Sequence, residues 1–467
     1  MPVGGTVAFC RGGSFDASGS RQWVNNNCRA DNRCVIRDYT PPGSSTPLPR
    51  PILNAGTDYG ISLEDGGNSN HEEGYTLLNL ELRGAGSANG IRASNDIDDV
   101  LACNLVIDNF ELGFYVTQPR PPANIDPGSD GRNSRIVLRN SIIKNNHSQG
   151  WLGTCDDCGI EYNYFENNGW DNSTANDAQR DHNIYLDNHN SFQGMRVVGN
   201  ELYRSAMLNG ECTGVSLVVH GGVHNNLLIE GNTIREDIGA AEGRCWGISV
   251  DAGYASEGEA FNNIIIRNNT VMNVGNQSIG VNACQNCLIE NNLVIQQQNA
   301  NGSLISAPVR TDEGSNDQAM DSVTIRNNTL FINSAANYTG IRLGYEGSNH
   351  SAYNNVLYAR GGGQLTCFNY DLSAGSYATR DNNVCFATGG SSLRWTNSET
   401  TLNGWRNQSG ADSASMAVDP QFTSLAVPYN FTPSATSPLR NAAISSPVDD
   451  NTGKLRDANP DIGAFER

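Results

Sequence analysis

The chain has 467 residues, of which 37% are hydrophobic and 17% charged, with 50 glycines and a formal net charge of −19. That acidity argues against a nucleic-acid partner, which needs a basic footprint, and it opposes adhesion to anionic membranes. It leaves room for a local basic cleft that takes an acidic sugar polymer. No run of 18 apolar residues exists, so no membrane span is expected.

The first residues, Met1-Pro2-Val3-Gly4-Gly5-Thr6-Val7, run straight into a strand with no signal peptide, so we expect the natural chain to begin earlier. Residues 1–51 read as an N-terminal entry turn or cap. Strand-like Thr6–Cys10 and Cys34–Tyr39 are followed by loop at Pro41-Pro42-Gly43 and at Pro47, Pro49 and Pro51.

From 52 to 386 one frame recurs: a short apolar run, an asparagine, one free position, an apolar residue. It fits Asn79, Asn104, Asn140, Asn163, Asn200, Asn232, Asn269, Asn292, Asn328, Asn355 and Asn383, at spacings of 23 to 37 residues. A fixed strand with elastic gaps is the signature of a solenoid whose turns share a cross-section and differ in their loops. Asparagine suits the corner of such a coil, because it tolerates a left-handed backbone and its amide can bond to a copy one rung away.

A second strand column runs ahead of the first: Ile61-Ser62-Leu63-Glu64, Phe114-Tyr115-Val116-Thr117, Ile184-Tyr185-Leu186-Asp187, Val215-Ser216-Leu217-Val218, Ile248-Ser249-Val250-Asp251, Ile279-Gly280-Val281-Asn282 and Ile341-Arg342-Leu343-Gly344. First and third positions should point inward, second and fourth outward. The expected architecture is an all-β parallel β-helix of about eleven or twelve turns. Residues 387–467 are rich in Ser, Thr and Pro and read as the C-terminal cap that an open solenoid end requires.

Twelve cysteines point to a secreted, periplasmic or cell-surface location. Cys212 and Cys245 precede equivalent strands and are expected to be bonded. Cys155 with Cys158 and Cys284 with Cys287 read as local disulfides, because the two pairs lie four rungs apart, roughly 19 Å, too far to share one zinc ion. Cys28 with Cys34 and Cys367 with Cys385 are further plausible bridges, which leaves Cys10 and Cys103 unassigned.

The opening Gly5-Thr6-Val7 with Gly12-Gly13-Ser14-Phe15, the Ile-x-x-Asn-x-Ile turns and the closing Asp461-Ile462-Gly463-Ala464-Phe465-Glu466 resemble secreted bacterial right-handed parallel β-helix proteins of the pectate-lyase-like superfamily. The resemblance implies a right-handed coil with N- and C-terminal caps. It leaves function open among lyases, hydrolases, epimerases and adhesins. The polygalacturonase motifs are missing apart from His220-Gly221-Gly222, and the pectate-lyase Trp-Ile-Asp-His segment is only echoed in Arg180-Asp181-His182-Asn183. No catalytic residue is carried over from either family.

Function therefore has to be read from the outward face. Long loops at 118–133, 166–181, 204–213, 235–247, 252–262 and 309–322 flank the middle turns. Arg180-Asp181-His182-Asn183-Ile184-Tyr185-Leu186-Asp187 is the densest acid–base stretch. The expected catalytic set is His182 as base, Tyr185 as acid, Arg180 or Arg204 as the cation that neutralises a sugar carboxylate, and Asp187. Tyr115, His147, Trp151, His220 and Asp251 are the expected substrate contacts. The implied reaction is β-elimination on a uronic-acid polysaccharide by a monomer, with no metal ligands and no cofactor assigned, although calcium is compatible. One alternative is an inverting hydrolase using Asp187 and Asp251, two turns apart in one outward column. The other is a non-catalytic adhesin or surface protein.

Overall fold

The computed structural model describes residues 4–19, 22–23, 27–44, 46–64, 74–119, 130–187, 189–310 and 316–467. Much of loop 118–133 and part of 309–322 therefore lie outside the described residues, as does the opening Met1-Pro2-Val3. The chain divides into two compact units, Met1–Gly210 with Gly214–Val223, and Glu211–Thr213 with His224–Arg467.

Each unit is a right-handed parallel β-helix built from three sheets. In the first unit sheet A runs from Thr6–Cys10 to Arg196–Val198, sheet B from Ser14–Asp16 to Glu201–Ser205, and sheet C from Gln22–Trp23 to Val215–His220, with seven strands in each. In the second unit the same sheets hold six strands each. They run from Leu228–Glu230 to Tyr377–Asp381, from Thr233–Arg235 to Val384–Ala387, and from Trp246–Val250 to Ser392–Thr396. Among the described residues that makes seven rungs and six, against the eleven or twelve turns expected in all. The difference lies at the N-terminus, where the first 51 residues already contribute strands to all three sheets.

Strand alternation explains the core. Ile184 and Leu186, and likewise Ile61 and Leu63, are fully or almost fully buried, and they stack in register on their copies. Burial of one such side chain contributes about 2 kcal/mol, repeated at every rung.

The eleven asparagines resolve into two columns one residue apart. Asn79, Asn104 and Asn140 sit at the corner after sheet A with positive φ of 58°, 56° and 50°. Further along the same corner come Tyr162 and Gly199, and in the second unit Gly231, Asn268, Asn291, Asn327, Asn354 and Asn382, all with positive φ. The next residue in each turn points inward. It is Leu80, Leu105, Ser141, Asn163 and Asn200 in the first unit, and Asn232, Asn269, Asn292, Asn328, Asn355 and Asn383 in the second. These inward amides form the ladder: Asn163 Nδ2 donates to Asn200 Oδ1 at 3.0 Å. From Asn232 to Asn383 each Nδ2 donates to the next Oδ1 at 2.9–3.0 Å. Left-handed corner and amide ladder, expected of one residue, coincide at Asn79 and Asn104, where Asn104 Nδ2 donates to Asn79 Oδ1 at 2.7 Å, and from Asn163 on the main ladder is carried by the inward neighbour.

All five expected disulfides are present, namely Cys28–Cys34, Cys155–Cys158, Cys212–Cys245, Cys284–Cys287 and Cys367–Cys385. Cys10 and Cys103 are free. The tail carries the helix Leu402–Ser409, whose N-terminus is capped by Thr401 and whose C-terminus ends at Gly410 with φ 68°. It also carries an antiparallel pair, Phe422–Ser424 with Asn430–Pro433. Phe422, Phe431 and Phe465 pack over Phe331, Tyr358, Leu293 and Ile295 on the outer side of sheet B.

Candidate functional site

The outward side of sheet C in the first unit carries the densest set of titratable groups. On Ile184–Asp187 the outward residues are Tyr185 and Asp187, both half-buried. The next strand lies in register, with Tyr185 beside Val218 and Asp187 beside His220. The Tyr185 ring meets His182 edge-on at 4.9 Å and His220 at 5.9 Å, so the phenol stands between two imidazoles.

Asn183 anchors the strand from inside the corner. It accepts from Asn168 Nδ2 at 2.8 Å, and its backbone N–H donates to Ser205 Oγ at 3.0 Å. Asn146 extends this to a second amide ladder by donating to Asn168 at 2.8 Å. The ladder's spacing was legible in the sequence but lay outside the frame chosen there.

His182 is 3% exposed. Its Nδ1 lies 2.8 Å from the Val215 carbonyl, which can only accept, so Nδ1 carries the proton and Nε2 the lone pair. Burial pushes its pKa down to about 3, against the Val215 hydrogen bond and with some help from His220. The ring is therefore neutral at working pH and a weak base. It fixes Tyr185 from below.

Tyr115 lies on the same outward lane, two rungs before Tyr185. Burial raises its phenol pKa, the Arg92 guanidinium opposes this, and the Asp187 carboxylate adds to it. Tyr115 thus stands between a cation and an anion and stays protonated.

Several expected site residues lie elsewhere. Trp151 is buried and stacks on Phe114 at 4.5 Å, and its Nε1 donates to the Gly153 carbonyl. Because Trp151 is in register with the inward residues Phe114 and Ile184, it is core and reaches no ligand. Arg204 is on a sheet B strand, exposed, with its guanidinium over Tyr203, and Arg180 is an exposed loop residue. Neither joins Tyr185 on sheet C. His147 sits at the corner between sheets B and C, held by Asp171 at 2.6 Å and Asn109 at 3.2 Å, against Trp170. Asp251 belongs to the second unit and is fully buried. It accepts from Ser249 Oγ at 2.7 Å and pairs with Arg310, so it does not present a carboxylate to a scissile bond.

The donor atoms that converge within metal-binding distance among the described residues are those of Cys212, Glu236 and Cys245, and the disulfide consumes two of them. Among the described residues Asp187 belongs to no such set. A cavity of about 890 Å³ in the second unit lies between Met272, Leu293 and Ile295 on one side and Tyr429 and Phe465 on the other. No Asp, Glu, His, Lys or Arg lines it, so it offers no acid–base chemistry at neutral pH.

By fold the class is the right-handed parallel β-helix. No protein-family model and no curated protein sequence matches the chain. Among solved structures it is similar to the pectate lyase Pel9A, at 13% identity and a TM-score of 0.37, covering all of this chain and 89% of that one. It is also similar to an α-1,3-glucanase catalytic domain in complex with tetrasaccharides, at 12% identity and a TM-score of 0.32, covering 83% of this chain and 64% of that one. Neither likeness bears on the chemistry of the site.

Proposed function

We propose that the protein is a carbohydrate-active enzyme that cleaves a uronic-acid polysaccharide by β-elimination on the outward side of sheet C in its first unit. The observation that carries this reading is the Tyr185 phenol, flanked by His182 and His220 and one position from Asp187. Five disulfides fit an enzyme that works outside the cytoplasm.

The base is His220, half-buried in the groove, in place of the buried His182. Its imidazole takes the proton from C5 of the uronate. The C–H electron pair becomes the C4–C5 double bond, and the C4–O4 pair leaves with the oxygen. Tyr185 gives its phenolic proton to that oxygen and recovers one from the neighbouring imidazolium, so the enzyme returns to its starting state. Tyr115, two rungs from Tyr185 and kept protonated, faces the polymer further along the lane. Asp187 is the register neighbour of His220 and faces the same side of the sheet.

The test is absorbance near 235 nm during incubation with alginate, pectate and glycosaminoglycans. An unsaturated uronide is expected from at least one. Reducing ends without that absorbance would make the protein a hydrolase, and neither signal would leave a binding protein.

A further inference from the structure

Arg92 is the cation on this lane. It lies on Asn89–Ser94, in register between Ser62 and Tyr115, at the outward position that becomes Tyr185 three rungs later. Its guanidinium sits 5.6 Å from the centre of the Tyr59 ring. Nη1 reaches Glu64 Oε1 at 3.1 Å, the side chains of Arg92 and Glu64 being 28% and 16% exposed. Among the described residues that single oxygen is its one hydrogen-bonded partner. A guanidinium offers five N–H donors in a planar fork that matches a carboxylate bidentately, so one single-point contact leaves most of the fork for a ligand. Tyr59 and Tyr115 hold the group in place, which lowers the entropy lost on binding.

We propose that Tyr59, Glu64, Arg92 and Tyr115 form a distal subsite that binds the carboxylate of a uronate residue, in competition with Glu64. This rests on the reading of sheet C as a uronan groove. Three rungs span roughly 14 Å, so Arg92 engages a sugar several residues from the bond broken at Tyr185. It therefore sets which polymers are held and takes no part in the elimination. Glu64 is the internal counter-anion: it keeps the fork desolvated and aligned until a sugar carboxylate replaces it.

The test is native electrophoresis of wild type, Arg92→Gln and Glu64→Gln in gels cast with alginate, polygalacturonate or a glycosaminoglycan, with dextran as the uncharged control. Wild type should be retarded by at least one uronan and not by dextran. Arg92→Gln should bind that uronan about tenfold to a hundredfold more weakly, the ratio for loss of a charged hydrogen bond. Glu64→Gln should bind it more tightly. A purely structural ion pair would give both variants the same sign, with a lowered melting temperature.

Retention of Arg92→Gln equal to wild type, weaker binding by Glu64→Gln, or no retardation of wild type by any uronan overturns the subsite. Loss of binding in Arg92→Gln without any unsaturated product from wild type sustains the subsite and rejects the lyase. The two readings thus fail separately.

Discussion

The outward side of sheet C in the first unit and the outward side of sheet B in the second are built on the same alternating strand. They have been put to opposite uses. On sheet C the outward positions include Arg92, Tyr115, Tyr185, Asp187 and His220, half-buried and titratable, with Leu152 and Val218 between and beside them. On sheet B they are Met272, Leu293, Ile295, Phe331 and Tyr358, and the chain's own tail covers them with Phe422, Phe431 and Phe465. In a parallel β-helix the inward half of each strand is committed to the core, so the outward half is free for either chemistry or burial. Substitutions on the first face should change turnover and leave stability alone, and those on the second should do the reverse.

The largest effect should come from Tyr185→Phe and His220→Ala, each lowering turnover on a cleaved uronan by roughly two to four orders of magnitude, with the melting temperature nearly constant. Intact turnover in both would move the chemistry off sheet C. Across the comparison, Phe431→Ala should destabilise by about 3–5 kcal/mol while specific activity of the folded fraction is kept. Denaturant unfolding followed beside activity measures both. A loss of activity matching Tyr185→Phe would break the contrast.

Beneath both faces lies the amide ladder, which separates inside from corner. Asn269 accepts from Asn232 and donates to Asn292 and to the Ile229 carbonyl. Asn269→Leu should therefore cost about 2–4 kcal/mol through buried groups left unpaired. Asn268→Gly, one residue earlier at φ 57°, should change stability by less than about 1 kcal/mol. Equal effects in thermal melts would merge the two columns again.

The smallest effect concerns pH, at two adjacent residues on the wall of the open face. Burial holds Asp181 at about 6, against hydrogen bonds from Ser148 and Asn172, so its contribution is complete below the unfolded value near 3.8 and is lost as pH rises through 6. His182, held at about 3, contributes fully above its unfolded value near 6.5, and this is lost as pH falls towards 3. The two windows overlap between about 3.8 and 6 with opposite slopes, so the wild-type profile should be nearly flat there. Asp181→Asn should unmask the His182 contribution, with stability falling as pH drops from 6.5 towards 3, and His182→Gln should unmask the Asp181 contribution, with stability falling as pH rises from 3.8 through 6. A flat profile in both variants would refute the assignment.

Alternation made the sheets, the inward residues of sheet C and the disulfides legible in the sequence. A period of two fixes which side a residue faces but not which rung it matches. That is why the step from Asn140 to Asn163 read as one column although Ser141 is the true partner, and why Val215 was matched to Ile184 where Leu217 lies opposite. The second slip hid the pairing of His220 with Asp187. His182 and Trp151 were read from residue type, as a base and a sugar platform, whereas burial decides both. Glu64 ends the expected strand Ile61–Glu64, whereas Arg92 lies on Asn89–Ser94, where Gly90 and the polar flanks Asn89 and Ser94 blur the alternation.

The last rung of the second unit shows what the tail prevents. Asn383, at the end of the ladder, hands its backbone N–H to Ser415 Oγ at 2.9 Å, and the Met416 N–H closes onto the Asn383 carbonyl at 2.8 Å. A chain cut at residue 396 would present the same three strand edges and the same unmet amide that every internal rung offers its successor. Another copy would then supply the missing rung as well as the chain itself does, so the shortened chain would become a seed for its own polymerisation. The 71 residues after Thr396 thus set its length as a stop codon sets the length of a message.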